Sequence, residues 1–285
     1  MQISLYSFLF SIVISSIFIV LLYFFRKKIA FCNHYGLYTI LGLYAVTFVR
    51  MALPFEFGFT NTISDHNVYA SIMNVLTPDK KAVFVPKFTL LNLLVSVWIV
   101  GSVIYILWVM IKYYKAVKAL KANVIDGTPE MQAKLDLISQ KCGIRRKVKL
   151  KITDCVISPV TYGFLNHVIL IPNREFDDRD FGYIAMHECC HIKDKDIWIK
   201  LLTEIYCGIF WWNPFAHLLK KDLTYCLELR CDKRVTSKLS ENRCTVYYEV
   251  LVTQMKAYKE QKEKTPSVPQ YRSGRCGGSH GFGGH

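Results

Sequence analysis

Acidic residues are scarce in this chain. Asp and Glu number 22 against 36 Lys and Arg, which leaves a formal charge of +14. In a soluble protein such a balance points first to nucleic acid. The placement of the cations argues against that class: they flank long apolar runs, and no nucleic-acid recognition motif accompanies them. Direct binding to nucleic acid is therefore not expected. Also missing is any C-x-x-C pair among the ten cysteines, so a cysteine-rich zinc cluster lacks its spacing. Cys189 and Cys190 are adjacent, and Cys207, Cys226, Cys231 and Cys244 fall on helical patterns. They read as small apolar filling in a reducing compartment rather than as a disulfide framework. A cleavable signal peptide is not expected either, because the positive charge follows the first apolar run and no small-residue cleavage site is evident.

What the chain has in abundance is apolar residues, 52% of the whole, with 14% aromatic. They concentrate in three runs, at about residues 4–25, 35–55 and 88–111, each long enough to cross a bilayer as a helix. Arg26-Lys27-Lys28 follows the first run, and Lys112, Lys115, Lys118 and Lys121 follow the third. The segment 56–87 is nearly balanced in charge. Positive charge marks the cytoplasmic side, so the expected topology puts the N-terminus outside and residues after Lys112 in the cytoplasm. Arg50, near the end of the second run, either snorkels to the outer interface or pairs within the bundle.

Beyond residue 112 the pattern turns to that of a folded domain. Thr128-Pro129-Glu130 is a helix start and Gly143 a helix stop. Residues 147–152 alternate as a strand, and Val168-Ile169-Leu170-Ile171-Pro172 reads as a second one. Asp177, Asp178 and Asp180 then open a helix with acids in its first turn. That helix carries Met186-His187-Glu188-Cys189-Cys190-His191. Histidines at i and i+4 lie on one helix face, where both rings can reach one metal ion. Glu188, beside them, is placed to act as a general base, so the spacing is that of a zinc peptidase.

A second helical pattern carries Glu228 and Asp232, again at i and i+4. Glu228 is the candidate third ligand, leaving a fourth position for water, and Asp232 a candidate to hold a ligand imidazole by its other nitrogen. Beside Arg230 and Lys233 the two acids also read as solvated charges. Residues 197–219, with Trp211-Trp212 and the interrupting Lys200, Glu204 and His217, suit a membrane-associated helix or hairpin better than a clean span. His217 is more simply a hydrogen-bonded histidine than a fourth ligand. Tyr247 and Tyr248 are candidate oxyanion donors, with core packing the alternative for either. Residues 259–285, a charged run followed by a glycine-rich stretch, are expected to be a disordered tail.

The ordered motif set resembles the BlaR/MecR family of membrane-embedded metallopeptidases. Ser158-Pro159-Val160-Thr161-Tyr162-Gly163, Ile169-Leu170-Ile171-Pro172, the His187–His191 motif with Asp196, Trp212-Asn213-Pro214, and Glu228 with Cys231-Asp232 all carry the resemblance, as does Arg50 leading into Leu53-Pro54-Phe55. The likeness extends to about Val250. It implies a gluzincin fold with zinc on His187, His191 and Glu228, and Glu188 as catalytic base. It implies a bacterial membrane protein whose substrate is a cytoplasmic regulator, a transcriptional repressor in relatives that sense beta-lactams. The chain departs from that plan in lacking a clear fourth span and a sensor domain, so sensing is not expected of it.

The expected architecture is thus mainly α with a small β-sheet: a three-span membrane region at 1–112, with lipid as its partner, and a cytoplasmic zinc endopeptidase domain at 113–258. Its substrates are a protein regulator and, as a second candidate, the chain itself. Rival readings are a housekeeping protease of the HtpX/Ste24 group and a non-catalytic zinc-binding membrane scaffold.

Overall fold

The computed structural model describes residues 5–32, 34–52, 90–121 and 124–264. The described residues are mainly helical with one small sheet. In order come α1 (Leu5–Cys32), α2 (His34–Ala52), α3 (Leu90–Leu120), β1 (Val124–Asp126), α4 (Pro129–Lys141), β2 (Lys149–Thr153), β3 (Val160–Tyr162), β4 (Val168–Pro172), α5 (Asp178–Lys193), α6 (Asp196–Ile209), α7 (Pro214–Thr236) and α8 (Glu241–Lys264). They fall into two compact units. One comprises residues up to Trp108 with Thr203–Cys226, and the other Val109–Leu202 with the residues from Leu227 onward.

In the first unit, α1 and α3 are long and apolar enough to cross a membrane, and α2 holds a shorter apolar stretch, Gly36–Met51. Leu93, Val97, Val100, Ile104 and Leu107 of α3 stand exposed. α1 continues past its apolar run to Cys32, and α3 outlasts its own because the Lys and Ala that follow residue 111 are themselves good helix formers. Arg50 is exposed in the last turn of α2. Arg26, the first of the basic triplet, is less solvated than a flanking charge would be. Its guanidinium lies 2.7 Å from the buried Asp222 carboxylate and 4.4 Å over the Tyr225 ring, and the Tyr44 hydroxyl donates to the same carboxylate. The region of Trp211-Trp212 forms a turn between α6 and α7. Asn213 accepts from the Phe215 amide, as an N-terminal cap does, and donates to Ser16. His217 hydrogen-bonds the Trp211 carbonyl, the bland role expected of it.

The second unit is built on a mixed sheet of order β1-β2-β4-β3, in which only β2 and β4 run parallel. β4 is buried along its whole length. Its side chains alternate between two cores, as period two requires. Ile169 and Ile171 pack with Leu135 of α4 and Phe181, Ala185, Cys189 and Ile192 of α5. Val168 and Leu170 pack on the other face with Leu120, Val156 and Tyr162. The helix signals hold at α4. The Thr128 side chain accepts from the Met131 amide at 3.3 Å, Pro129 occupies the first turn, and Gly143 turns out with φ of 75°. α5 begins after Asp177 as expected.

Three features were not legible in advance. β1 and β3 are three residues each, too short to leave a pattern. α8 continues to Lys264, so residues 259–264, expected in the disordered tail, are helical; Lys, Glu and Gln favour a helix without needing an apolar face. The remainder of that tail, like the segment 56–87, lies outside the described residues.

Gly163 closes the turn after β3 with φ of 96°, and a Cβ there would sit 2.1 Å from the Asn166 carbonyl oxygen. A backbone atom cannot swing aside as a side-chain tip can. Gly163→Ala is therefore expected to destabilise the second unit by about 1–3 kcal/mol. The check is the thermal midpoint in detergent; an unchanged midpoint would mean the turn is not strained in the way the geometry requires.

Candidate metal centre

α5 has a polar and an apolar side because of its spacing. Phe181, Ile184, Ala185, Cys189 and Ile192 are buried, while His187 and His191 share another face. Their rings meet edge to face at 4.8 Å between centroids, with the two Nε2 atoms 3.1 Å apart. Glu228 of α7 completes the group. Its Oε2 lies 3.2 Å from His191 Nε2 and 3.7 Å from His187 Nε2. A tetrahedral ion with bonds of about 2.0–2.2 Å sets donor separations of about 3.3–3.6 Å. The three observed separations bracket that range. Two imidazole nitrogens and one carboxylate oxygen are also the donor types a zinc-like ion takes.

Cys231 offers a rival donor set with the two histidines. Its sulfur, however, lies 3.5 Å from Nδ1 of His187, on the ring edge away from His191 and Glu228. That edge is already used. Nδ1 of His187 is 2.8 Å from the Tyr247 hydroxyl and 3.3 Å from Oδ1 of Asp232, and the hydroxyl donates to the same Oδ1 at 2.8 Å. The Nε2 cluster with Glu228 is the better geometric fit to a metal ion.

The second histidine is held in the same way. Nδ1 of His191 is 2.7 Å from Oδ2 of the buried Asp196. Asp196 reaches back because Lys195 takes a left-handed φ of 58° between α5 and α6. Arg230 of α7 pairs with both Asp196 and Asp194, and Arg234 with Asp194. These pairs tie the end of α5 to the helix that carries Glu228. Lys200 approaches the other oxygen of Glu228 at 3.3 Å.

The electrostatics follow from this packing. Burial works against a charged His187, but the Asp232 and Glu228 carboxylates more than reverse it and raise the imidazole to about 9. His191 is likewise disfavoured by burial and raised to about 10, chiefly by Asp196 and Glu228. Burial would push Glu228 up, yet the two imidazoles and Lys200 hold it well below the ordinary carboxylate range. The centre of the group favours positive charge.

Glu188 is buried at the flank of this cluster, and the Thr161 hydroxyl of β3 donates to its Oε2 at 2.5 Å. β3 is an outer strand of the sheet, at the opposite edge from β1. The structure thus brings together His187, His191, Glu228, Glu188 and Asp232. The Tyr247 hydroxyl sits at Nδ1 of His187. That hydroxyl is fully buried behind His187, so it props the ring and does not face the Nε2 side where an oxyanion would form. Tyr248 is exposed. Sequence reasoning did not assign roles to Thr161, Asp196, Arg230 or Tyr247 as partners of the cluster. Only Asp196, five residues after His191, carried a local signal.

Comparison with known proteins agrees with the motifs. Residues 2–273 match the family described as BlaR1 peptidase M56. Regulatory protein BlaR1 of Staphylococcus aureus is 25% identical over 162 residues, covering 54% of this chain and 28% of that protein. The Methicillin resistance mecR1 protein of Staphylococcus aureus strain Mu50 is 23% identical over 164 residues, 56% of this chain and 28% of that protein. Regulatory protein BlaR1 of Bacillus licheniformis is 25% identical over 159 residues, 55% of this chain and 26% of that protein. The chain therefore aligns with little more than a quarter of the length of these relatives. With a match that runs over nearly all of its length, through the helix of the paired histidines and the helix of Glu228, the chain belongs to the BlaR1 peptidase M56 family.

Proposed function

We propose that the protein is a membrane-embedded zinc endopeptidase that cuts an extended segment of a protein regulator on the cytoplasmic side. The observation that carries this reading is the meeting of His187 Nε2, His191 Nε2 and Glu228 Oε2 at mutual distances of 3.1, 3.2 and 3.7 Å beside the buried Glu188. Those three residues would hold the ion. The chemistry zinc supplies at such a site is Lewis acidity toward a peptide carbonyl and toward water.

The chain's own groups do the rest. Glu188 takes a proton from the attacking water and returns it to the leaving amine as the C–N bond breaks. Thr161, bound to Oε2, fixes which oxygen of Glu188 is left to accept. Asp232 and Tyr247 at one imidazole, and Asp196 at the other, set ring orientation and tautomer. The outer strand β3 offers its backbone to an extended substrate, which would bring a peptide bond beside Glu188. A repressor-like regulator is the substrate class the family relationship favours, and the chain's own tail is a second one.

The apolar helices support residence in the membrane, with α1, α2 and α3 as three spans, the N-terminus outside and the zinc-binding unit in the cytoplasm.

Three outcomes test this reading. Glu188→Gln is expected to keep about one zinc per chain and lose peptide hydrolysis, while His187→Ala loses both; metal analysis beside a peptide-cleavage assay decides, and a fully active Glu188→Gln protein sinks the assignment. Asp196→Asn, Asp232→Asn and Tyr247→Phe should each weaken zinc binding, the two acid changes by about 10–100-fold. Competition with a chromogenic chelator measures this, and unchanged affinity in all three would remove these residues from the site's support. Finally, an impermeant thiol reagent applied from outside intact cells should label a cysteine introduced at Asn67 and spare one at Lys118. The opposite preference would reverse the topology.

A further inference from the structure

Each of the three donors has a partner on its far side, and two of those partners come from one helix. Asp196 opens α6, and its Oδ2 lies 2.7 Å from Nδ1 of His191. Lys200 stands four residues later, on the same helix face. Its ammonium is 3.3 Å from Oε1 of Glu228. The other oxygen of that carboxylate, Oε2, is the one that meets His191 Nε2 at 3.2 Å and His187 Nε2 at 3.7 Å. The two oxygens of Glu228 therefore face different partners, one the ammonium and the other the imidazole pair.

The sign of the charge behind each donor matters. An acid behind an imidazole takes its N–H and leaves the opposite nitrogen as a better donor. An ammonium behind a carboxylate does the reverse. It draws electron density from the carboxylate and adds a positive charge close to the three donors, which works against binding a cation there. Strengthening the hold on metal is thus not what Lys200 adds. What it does is occupy one oxygen. A carboxylate can give an ion one oxygen or both. A second oxygen from Glu228 would crowd the fourth position, which a hydrolytic zinc site keeps for water.

We propose that Lys200 is a positioning residue that confines Glu228 to a single metal bond, through Oε2, and so keeps the fourth position open. The proposal rests on the reading of His187, His191 and Glu228 as the ion's ligands, and it is independent of the substrate. Lys200 acts through Glu228. Both side chains are half-exposed, and an exposed ion pair contributes little to stability. Variants at Lys200 are therefore expected to fold as the parent does, and the effect is to be read at the bound ion.

The test uses the full chain in detergent micelles, stripped of metal and loaded with cobalt(II), whose visible bands are strong in four-coordinate sites and weaken as the coordination number rises. Lys200→Met keeps the apolar stem and removes the charge. Its visible absorption per bound cobalt should fall to about half of the parent's or less, as Oε1 joins the ion. Its zinc affinity, measured against a chromogenic chelator, should hold or tighten by up to about tenfold, since a neighbouring cation is gone. Lys200→Arg again offers a charged N–H donor to Oε1 and should restore the parent's spectrum. A Lys200→Met spectrum equal to the parent's, an equal change in Lys200→Met and Lys200→Arg, or weaker zinc binding by Lys200→Met would each overturn the proposal. Failure of the parent itself to bind cobalt would overturn the three-donor site along with it, whereas identical spectra of loaded parent and Lys200→Met remove only the role of Lys200.

Discussion

Two imidazole nitrogens and a carboxylate oxygen are packed within 3.7 Å of one another, and that packing governs the second unit. Three lone-pair donors at such distances repel unless positive charge lies among them. The raised imidazoles and the depressed Glu228 express the same demand in terms of protons. Satisfying it takes more than the three donors. Each imidazole has a carboxylate at its far nitrogen, and the carboxylate on the His191 side is paired in turn with Arg230. Burying one member without its partner would leave an uncompensated charge, a loss of several kcal/mol. The outer residues are therefore as necessary to the geometry as the donors they serve.

This explains which parts of the site could be read in the sequence. His187 and His191 meet through helical spacing alone, and Glu228 with Asp232 repeats the same interval, so local pattern suffices for both pairs. That the two pairs face each other is a tertiary fact, made visible only by the conventional chemistry of a two-histidine, one-acid site. Tyr247 lies 60 residues from His187 and has no spacing to betray it. Thr161 reaches Glu188 from a strand of three residues that leaves no periodicity. Aromatic and hydroxyl side chains serve cores and caps so widely that their type carries little information. The main architecture, helices with a small sheet, was legible because β4, α4 and α5 have strong patterns and clear ends. The basic triplet shows the limit from the other side. Arg26 looks like a flanking charge, and its pairing with Asp222 depends on a residue almost two hundred positions away.

The four consecutive residues from His187 to Cys190 illustrate how much one helical turn can hold. Each successive residue is rotated by about 100°, so the four side chains leave α5 in four directions. His187, joined by His191 one turn later, faces Glu228. Glu188 faces β3 and accepts from Thr161. Cys189 enters the core formed with Leu135, Val148 and Ile169. Cys190 packs with Cys231, Val235 and Tyr247, against the two helices that prop His187. A residue larger than cysteine at 189 or 190 would push α5 away from one of these neighbours, and the displacement would appear at the histidines. Small, apolar side chains are what the packing requires there, and cysteine meets that requirement.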